Sequence, residues 1–263
     1  MTQSGRWLID DPDMTETTKI NWNRIVIEAI AIVVSILLAF SIDAWWDAAL
    51  ERQRERELFG ALLDDLHKTR SNLIDGLNFH TAVQASSHRL LEVATSGDKD
   101  MSDSEFDRLL LDISWWDASN PFTTGALNSA LAAGELATIR SDELRRLIAD
   151  WPTTIAIVEI SRRQDYDFFF HTWTPYLREK GLFLQAAAVE APAPGRPQLQ
   201  NTPPNITVRN RKPMSSIIED EELHSLLMQK IWIQGDNLVQ FQNAIVGLDK
   251  IVDRLDAELG DRH

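Results

Sequence analysis

The stretch Ile27–Glu57, IEAIAIVVSILLAFSIDAWWDAALERQRERE, decides how this chain is built, because an apolar run gives way at two tryptophans to a densely charged segment. The 18 residues from Ile25 to Ile42 carry a single charged side chain, that of Glu28. At about 1.5 Å per residue, a helix of this length reaches roughly 27 Å, close to the hydrocarbon thickness of a bilayer. The run therefore predicts a transmembrane helix.

Aromatic residues flank this run as they do in membrane spans. Trp22 precedes it, while Trp45 and Trp46 follow it, so indole rings are predicted at both membrane interfaces. A cleaved signal peptide fits less well, because the run is too long and no A-x-A-like site follows it. A buried core helix rarely ends in a tryptophan pair followed by RQRERE. The lipid bilayer is therefore a predicted partner.

Small residues recur on one face of the predicted span. Ala31, Ser35 and Ala39 are spaced every four residues, which lets two helix backbones approach closely in lipid. The alternative is that alanine and serine are simply common in membrane helices. Arg24 stands four residues before Glu28, a spacing that predicts an interfacial ion pair. The alternative interpretation of Glu28 is an intramembrane ion or proton site.

Composition excludes several classes of function. The net charge is −14, and nucleic acid is not expected as a partner, because counterion release needs clustered lysine and arginine. The chain has no cysteine, which excludes disulfides, thiolate nucleophiles and thiolate metal sites. Hydrophobic residues make up 44% and charged residues 25%, as is usual for a folded protein.

Beyond the span the periodicity is helical almost throughout. The membrane helix is predicted to continue through RQRERE as one long rod to about Thr95. Apolar residues at spacings of three, four and seven mark one stripe of this rod: Phe59, Leu62, Leu66, Leu73 and Leu77.

Capping signals divide the middle of the chain into further helices. Ser102 and Glu105 form a capping box, which predicts a short helix through Ile113. Thr124 is the predicted cap of the next helix, which Gly134 ends.

Two more helices are predicted before an irregular segment. Ser141 opens the first, and Pro152 either begins or kinks a longer one that Gly181 closes. Residues 191–213 contain six prolines and are predicted to be irregular.

The C-terminal helix shows a heptad repeat interrupted at Gln234. Such a seam needs a partner of similar length, and an antiparallel pairing with the rod at residues 48–95 predicts a helical bundle standing on the membrane. The alternative is an intermolecular coiled coil. Gly235 and Gly247 each cost this helix about 1 kcal/mol relative to alanine, which suggests close backbone approach or a kink. The seam consists of Leu227, Ile231, Leu238, Phe241, Ile245, Leu248, Val252, Leu255 and Leu259.

The predicted fold is therefore all-α, with one transmembrane helix that continues into a soluble helical bundle. Its predicted parts are a polar N-terminal tail (1–24), the transmembrane helix (25–42), a helical bundle with a long juxtamembrane helix (43–190), the proline-rich segment (191–213) and the C-terminal heptad helix (214–263).

Two stretches resemble an uncharacterised bacterial family of single-pass membrane proteins, a domain of unknown function. The family's span reads roughly GEIILVVIGILIALxINNWNE; Glu28, Ala39, Ile42 and Trp45 fall in register with it, and Ser35 stands where the family has glycine. The range Ala126–Trp151 resembles a second family pattern through Leu131, Gly134, Leu136, Ile139, Leu144 and Leu147. Tyrosine and asparagine of that pattern are Leu127 and Ser141 here. The resemblance implies a bacterial membrane anchor with a helical domain and conveys no activity.

Location follows from this resemblance and from the basic residues around the span. Lys19 and Arg24 lie closer to the apolar run than Arg52, Arg54 and Arg56, which favours a cytoplasmic N-terminus. The sequence thus predicts a single-pass protein of the bacterial inner membrane with its C-terminal domain in the periplasm.

No catalytic motif is found, and neither a catalytic residue nor a cofactor is predicted. Two acid-x-x-His steps, Asp64-x-x-His67 and Glu221-x-x-His224, are of the kind that builds di-iron sites in bundles. The leucines next to these steps occupy the core-facing stripe, so both steps are expected to be exposed to solvent. The pair Trp115–Trp116 is expected to anchor a loop against the bundle rather than to line a pocket.

These observations predict a non-enzymatic, membrane-anchored helical scaffold. It would act as a homo-oligomer or by tethering a membrane protein partner. The alternatives are a ligand-sensing domain on a membrane stalk and, with weaker support, an oligomeric pore with Glu28 facing a shared axis.

Overall fold

The computed structural model describes residues 22–96, 101–117, 122–188 and 208–260, and every regular element within these ranges is helical. The predicted all-α class is therefore confirmed. Short 3₁₀ turns occupy Glu135–Thr138 and Met214–Ser216, and a π turn occupies Phe169–Trp173. The α-helices are α1 (Trp22–Ser96), α2 (Asp103–Ile113), α3 (Gly125–Ala133), α4 (Asp142–Phe168), α5 (Thr174–Glu179), α6 (Phe183–Ala187) and α7 (Glu221–Gly260).

Helix α1 contains the predicted span. Among the described residues it is the one helix long and apolar enough to cross a membrane, with an 18-residue window of mean hydropathy 2.3 that is 0% buried. The helix continues through the RQRERE segment to Ser96, which confirms the predicted continuity. The chain divides into two compact units, Met1–Gln53 and Arg54–His263.

Local signals set the ends of the middle helices. Ser102 accepts a hydrogen bond from the Glu105 N–H at 3.2 Å and begins α2. Ser141 caps α4 in the same way through the Leu144 N–H at 3.3 Å. Gly134 ends α3 with a φ of 71°, a left-handed conformation that favours glycine. These predicted ends are confirmed.

The cap of α3 differs from the prediction. Thr124 makes no side-chain cap; its hydroxyl accepts a hydrogen bond from the Asn128 side-chain amide at 3.2 Å. The cap comes instead from α1, where the Asp65 carboxylate accepts from the Ala126 N–H at 2.6 Å. Helix α3 therefore begins where a distant part of the chain supplies an acceptor.

Two prolines lie within the helical run from α4 to α5. Pro152 is inside α4, so it neither begins nor ends a helix. Pro175 follows the π turn at the start of α5. A proline ring in a helix clashes with the carbonyl four residues earlier. For Pro175 that carbonyl belongs to His171, which lies inside the wider π turn.

Helices α1 and α4 both pack antiparallel to α7. Arg70 of α1 is paired with Asp249 at 2.7 Å, whereas Gln84, further along α1, reaches the Ile231 carbonyl at 3.4 Å. Helix α4 packs along α7 over most of its length. The α7 seam is thus filled within the chain.

The buried seam of α7 overlaps the predicted heptad row only in part. Phe241, Leu248 and Leu255 are fully buried, as a core position requires. Two further predicted members, Leu227 and Ile231, are also buried. The remaining four lie half-buried on the margin of the core: Leu238, Ile245, Val252 and Leu259. The row that takes their place includes Lys230 and Asn237, whose polarity hides it from a hydrophobic pattern. The full seam is Leu223, Leu227, Lys230, Gln234, Asn237, Phe241, Ala244, Leu248, Ile251 and Leu255.

Helix α1 approaches α7 closely at Gly76. A Cβ atom there would lie 2.1 Å from Cε1 of the Phe241 ring, so no larger residue fits without movement. Gly235 and Gly247 differ from this, since a Cβ atom would meet Gln84 at 3.4 Å and Trp151 at 3.9 Å respectively. Gly76 is therefore the glycine that helix packing requires.

Substituting Gly76 by alanine is expected to destabilise the fold despite the higher helix propensity of alanine. Overpacking against Phe241 should cost about 1–3 kcal/mol. Gly60, also inside α1, is the control, because a Cβ atom added there would meet no other atom within 4 Å. At that position alanine should stabilise the helix by up to about 1 kcal/mol. Thermal unfolding of the detergent-solubilised chain, followed by circular dichroism, measures both. If Gly76→Ala and Gly60→Ala raised the stability equally, the packing role of Gly76 would be contradicted.

A charged cluster fixes the start of α7. Asp220 accepts from the Glu222 N–H at 3.0 Å and from the Tyr176 hydroxyl at 3.1 Å. Lys180 lies 2.9 Å from the same carboxylate, and its hydrogen bond, as the main cause, lowers the pKa of Asp220 below its ordinary value of 3.8. A carboxyl with a lowered pKa in the folded state stabilises the fold above its unfolded pKa, and this contribution is lost as pH falls through the folded value.

The variant Asp220→Asn should therefore lose stability at pH 7 and much less at acid pH. Asparagine keeps the capping oxygen but removes the charge, so the expected loss at pH 7 is about 1 kcal/mol. The difference from wild type should shrink as pH falls below about 4, because the Asp220 carboxyl of the unfolded wild-type chain then takes up a proton, and at lower pH the folded chain does so too. Melting curves at pH 7 and pH 3 test this, with Asp256→Asn on the exposed face of α7 as control. A loss that is independent of pH would exclude the charge as its cause.

Candidate functional site

The predicted packing face of the span is exposed in the folded chain. Ala31, Ser35 and Ala39 lie on one face of α1, and all three are exposed. The Ser35 hydroxyl donates to the Ala31 carbonyl at 2.7 Å, so its hydrogen-bonding need is met within the helix. The face therefore presents small side chains over about two turns.

The predicted interfacial residues are described in part. Trp45 and Trp46 are 63% and 65% exposed, as side chains at a membrane surface would be in the absence of lipid. Glu28 is also exposed. The side chains of Trp22 and Arg24 lie outside the described residues, and so does the predicted pair between Arg24 and Glu28.

The two acid-x-x-His steps do not converge. Asp64 and His67 are exposed on α1, and Glu221 is exposed at the start of α7. The His224 ring nitrogen Nε2 lies 2.7 Å from the Ile218 carbonyl, within its own segment. Within the described ranges, no three histidine or acidic side chains are grouped so that they would hold a metal ion.

The Trp115–Trp116 pair holds the segment after α2 on the bundle. The Trp116 ring packs against Phe169 and Phe170 at centroid distances of 4.7 and 5.0 Å. It also meets Tyr166 edge-on at 5.9 Å. The pair therefore anchors a loop, as expected.

A layer of buried polar side chains, here called the polar layer, separates two apolar cores. On α7 it occupies three consecutive seam positions between Leu227 of one core and Phe241 of the other. Residues of α1, α4 and the segment after α2 lie at the same level. The polar layer consists of His80, Asp117, Arg162, Asp165, Lys230, Gln234 and Asn237.

An ion pair lies at the centre of the polar layer. Lys230 Nζ is 2.6 Å from Asp165 Oδ1, and both side chains are 0% exposed. Gln234 donates to the same carboxylate oxygen at 2.7 Å. The ammonium group also donates to the Trp115 carbonyl at 3.1 Å and lies over the Phe168 ring. The ammonium group thus has three contacts, while the Asp165 carboxylate has two, both on Oδ1; its Oδ2 is buried without a hydrogen-bond partner among the described residues.

His80 extends this network across to α1. The side-chain amide nitrogen of Gln234 donates to Asp165. The amide oxygen of Gln234 therefore faces His80 Nδ1, at 2.5 Å, as an acceptor. His80 Nδ1 therefore carries the hydrogen. The other ring nitrogen lies 3.7 Å from Asp117 Oδ2. Rings of Phe79 and Phe241 enclose the imidazole on two sides.

Asp117 is held from α4 as well. Arg162 Nε lies 2.9 Å from Asp117 Oδ2, and a second guanidinium nitrogen donates to the Asp117 carbonyl at 3.4 Å. Arg162 also pairs with Glu159 at 3.0 Å. Together with the contact from Lys230 to Trp115, this ties the segment after α2 to α4 and α7.

The polar layer is suited to fixing helix positions rather than to acting on a substrate. Lys230, Asp165 and His80 are fully buried, so no substrate reaches them in this state. Sequence reasoning recognised only Gln234 as an interruption of the seam. The signal that would have revealed the layer is a set of three polar residues, Lys230, Gln234 and Asn237, at consecutive seam positions of one long helix.

A small cavity lies away from the polar layer. It has a volume of about 10 Å³ and is lined by Leu62, Leu66, Leu127 and Trp151, among others. That volume accommodates a single water molecule at most. The cavity is therefore too small for a metabolite.

No protein-family model, curated protein or solved structure matches the chain. The resemblance of Ile27–Asp47 and Ala126–Trp151 to a bacterial membrane family remains a prediction.

The variant Lys230→Met should destabilise the bundle strongly, because it leaves the Asp165 carboxylate buried without its cation. The expected cost is about 3–5 kcal/mol. The double variant Lys230→Met, Asp165→Asn should be more stable than Lys230→Met alone, since it also removes the orphaned charge. Thermal unfolding of the detergent-solubilised chain measures this coupling.

The control for this experiment is an exposed ion pair of the same helices. Arg254 and Glu143 lie 2.8 Å apart and are 53% and 50% exposed. Arg254→Met should cost less than about 1 kcal/mol. If Lys230→Met cost no more than Arg254→Met, the central role of the buried pair would be refuted.

Proposed function

We propose that this protein is a non-enzymatic, membrane-anchored helical scaffold that associates with itself or holds a partner complex at the membrane. One observation carries the proposal. The large apolar side chains between Val26 and Ile42 are 47–67% exposed in the folded chain, whereas the bundle fills its own interior. A surface of this length and polarity is stable in a bilayer and not in water.

The proposed location is the bacterial inner membrane, with a single span. Lys19 and Arg24 support a cytoplasmic N-terminus and a periplasmic C-terminal domain through the positive-inside rule. The resemblance to a bacterial single-pass family supports the same location.

Two features favour association over ligand sensing: the small-residue face of the span and the size of one cavity in the bundle. The span offers the small-residue face of Ala31, Ser35 and Ala39, which suits helix–helix contact in lipid. The cavity lined by Leu62, Leu66, Leu127 and Trp151 has room for about one water, so this cavity offers a sensed metabolite no site.

The mass of the intact particle in mild detergent tests the proposal. Wild type should exceed the mass of one chain with its detergent, through further copies or a co-purifying partner. If copies associate through the span, Ser35→Leu should weaken this association about fivefold, or on the order of 1 kcal/mol, because leucine blocks close approach. Insertion should be unaffected, since leucine is more apolar than serine.

Leu37→Ala provides the matched control, because Leu37 lies off the small-residue face and its loss should change association much less. A two-hybrid assay of the isolated span, residues 18–54, measures both variants in a membrane. Equal signals from wild type and Ser35→Leu would show that the small-residue pattern is compositional. A strictly monomeric particle without any partner would contradict the scaffold itself.

A further inference from the structure

The surface of the bundle beside the π turn carries an aromatic patch, here defined as Trp116, Tyr166 and Phe170. Tyr166 and Phe170 are 43% and 37% exposed, and their ring centroids lie 4.4 Å apart. The half-buried ring of Trp116 contacts both, at centroid distances of 5.9 and 5.0 Å. Aromatic rings that are exposed side by side in this way are typical of a contact surface.

A clasp of hydrogen bonds joins the two ends of the proline-rich segment to the bundle. The Gln185 side chain donates to the Lys212 carbonyl and accepts from the Lys212 N–H, each at 3.0 Å. Gln185 also donates to Asp107 of α2 at 2.6 Å, and the same carboxylate pairs with Arg211 at 2.6 Å. Gln185 and Asp107 are buried. Residues 189–207, which lie outside the described residues, are therefore held at both ends close to one point on α2.

The aromatic patch lies within reach of this segment. From Asp107 to Trp116 the chain follows the end of α2 and a short extension, so these two residues are at most about 20 Å apart. The 19 residues of 189–207, held at both ends, extend outward by about half their length, or roughly 30 Å in an extended polyproline conformation. Ala186 and Met214, which flank the segment, belong to the core against which Trp116 packs.

The segment has the composition that aromatic surfaces bind. Residues 194–197 read Pro-Gly-Arg-Pro, a PxxP sequence of the kind that binds to aromatic-lined grooves. The fixed φ of proline leaves less conformational entropy to lose on binding. Asp167 is exposed on α4 three residues before Phe170, which gives Arg196 of the motif a carboxylate to pair with at the edge of the patch. The prolines of the segment are Pro192, Pro194, Pro197, Pro203 and Pro204.

We propose that residues 192–197 bind the aromatic patch of the same chain. Tethering favours this occupant, because a segment held within about 20 Å of the patch is present there at an effective concentration in the millimolar range. A separate proline-rich protein would have to compete with the segment at that concentration. The patch is then an internally occupied surface of the bundle, and this inference does not depend on whether the span associates.

The absence of cysteine from the chain allows a direct test in the full-length protein. Gly195→Cys marks the centre of the motif, and Arg163→Cys lies at an exposed position of α4, one helical turn before Tyr166. The detergent-solubilised double variant is treated with a short bismaleimide, and cross-linked peptides are identified by mass spectrometry. The cross-link within one chain should form about fivefold faster than in a control pair, because binding holds the motif at the patch.

The control pairs Gly195→Cys with Arg108→Cys. Arg108 is exposed on α2 beside Asp107, so it lies nearer to the clasp than the patch does. A segment that only diffused about its tether would therefore cross-link to position 108 at least as fast as to position 163. Equal rates at the two positions would overturn the inference.

Two further changes show whether the aromatic ring and the prolines cause the contact. Tyr166→Ser should lower the rate at position 163 to that of the control, and the paired change Pro194→Ala, Pro197→Ala should do the same without altering the bundle. Circular dichroism verifies that the Tyr166 variant is folded. Rates that neither change lowers would contradict the proposed contact. Cross-links that form mainly between two chains would assign the patch to the segment of a second copy and exclude the contact within one chain.

Discussion

The ion pair between Lys230 and Asp165 is the constraint on which the rest of the bundle depends. Apolar seams alone tolerate a shift of one heptad, because leucine packs against leucine in either register. A shift of α7 by seven residues would take Lys230 away from its carboxylate and leave two charges buried without partners, at a cost of several kcal/mol. The polar layer therefore admits one register of α7 on α1 and α4, and the two apolar cores form on either side of it.

The parts of the fold that sequence predicts are those with local causes. Ser102, Ser141 and Gly134 act within a few residues of their own position, so their roles are visible in the sequence. Asp65 caps α3 from 61 positions away, and no local pattern records such a contact. Helix α7 shows the same limit in another form, because hydrophobic periodicity follows apolar side chains and passes over the buried row that contains Lys230 and Asn237.

The candidate site was harder to predict than the fold for a related reason. Buried polar residues look like surface residues until their partners are known. His80, Asp165 and Asp117 come from three separate segments, and each alone is an ordinary polar residue of a helix or loop. Only their meeting at one level of the bundle distinguishes them. The span differs, since its signal is contained in one stretch of sequence.

The cap that Asp65 provides makes the short helix α3 dependent on α1. Helix α3 has nine residues, too few to persist alone in water. Its Ala126 N–H finds the Asp65 acceptor only when α1 is docked beside it, so the stability of α3 depends on that contact. We expect the amides of α3 to exchange with solvent when α1 and α3 separate, at a free energy below that of global unfolding. The protection of the α3 amides therefore indicates whether the contact between α1 and α3 is intact.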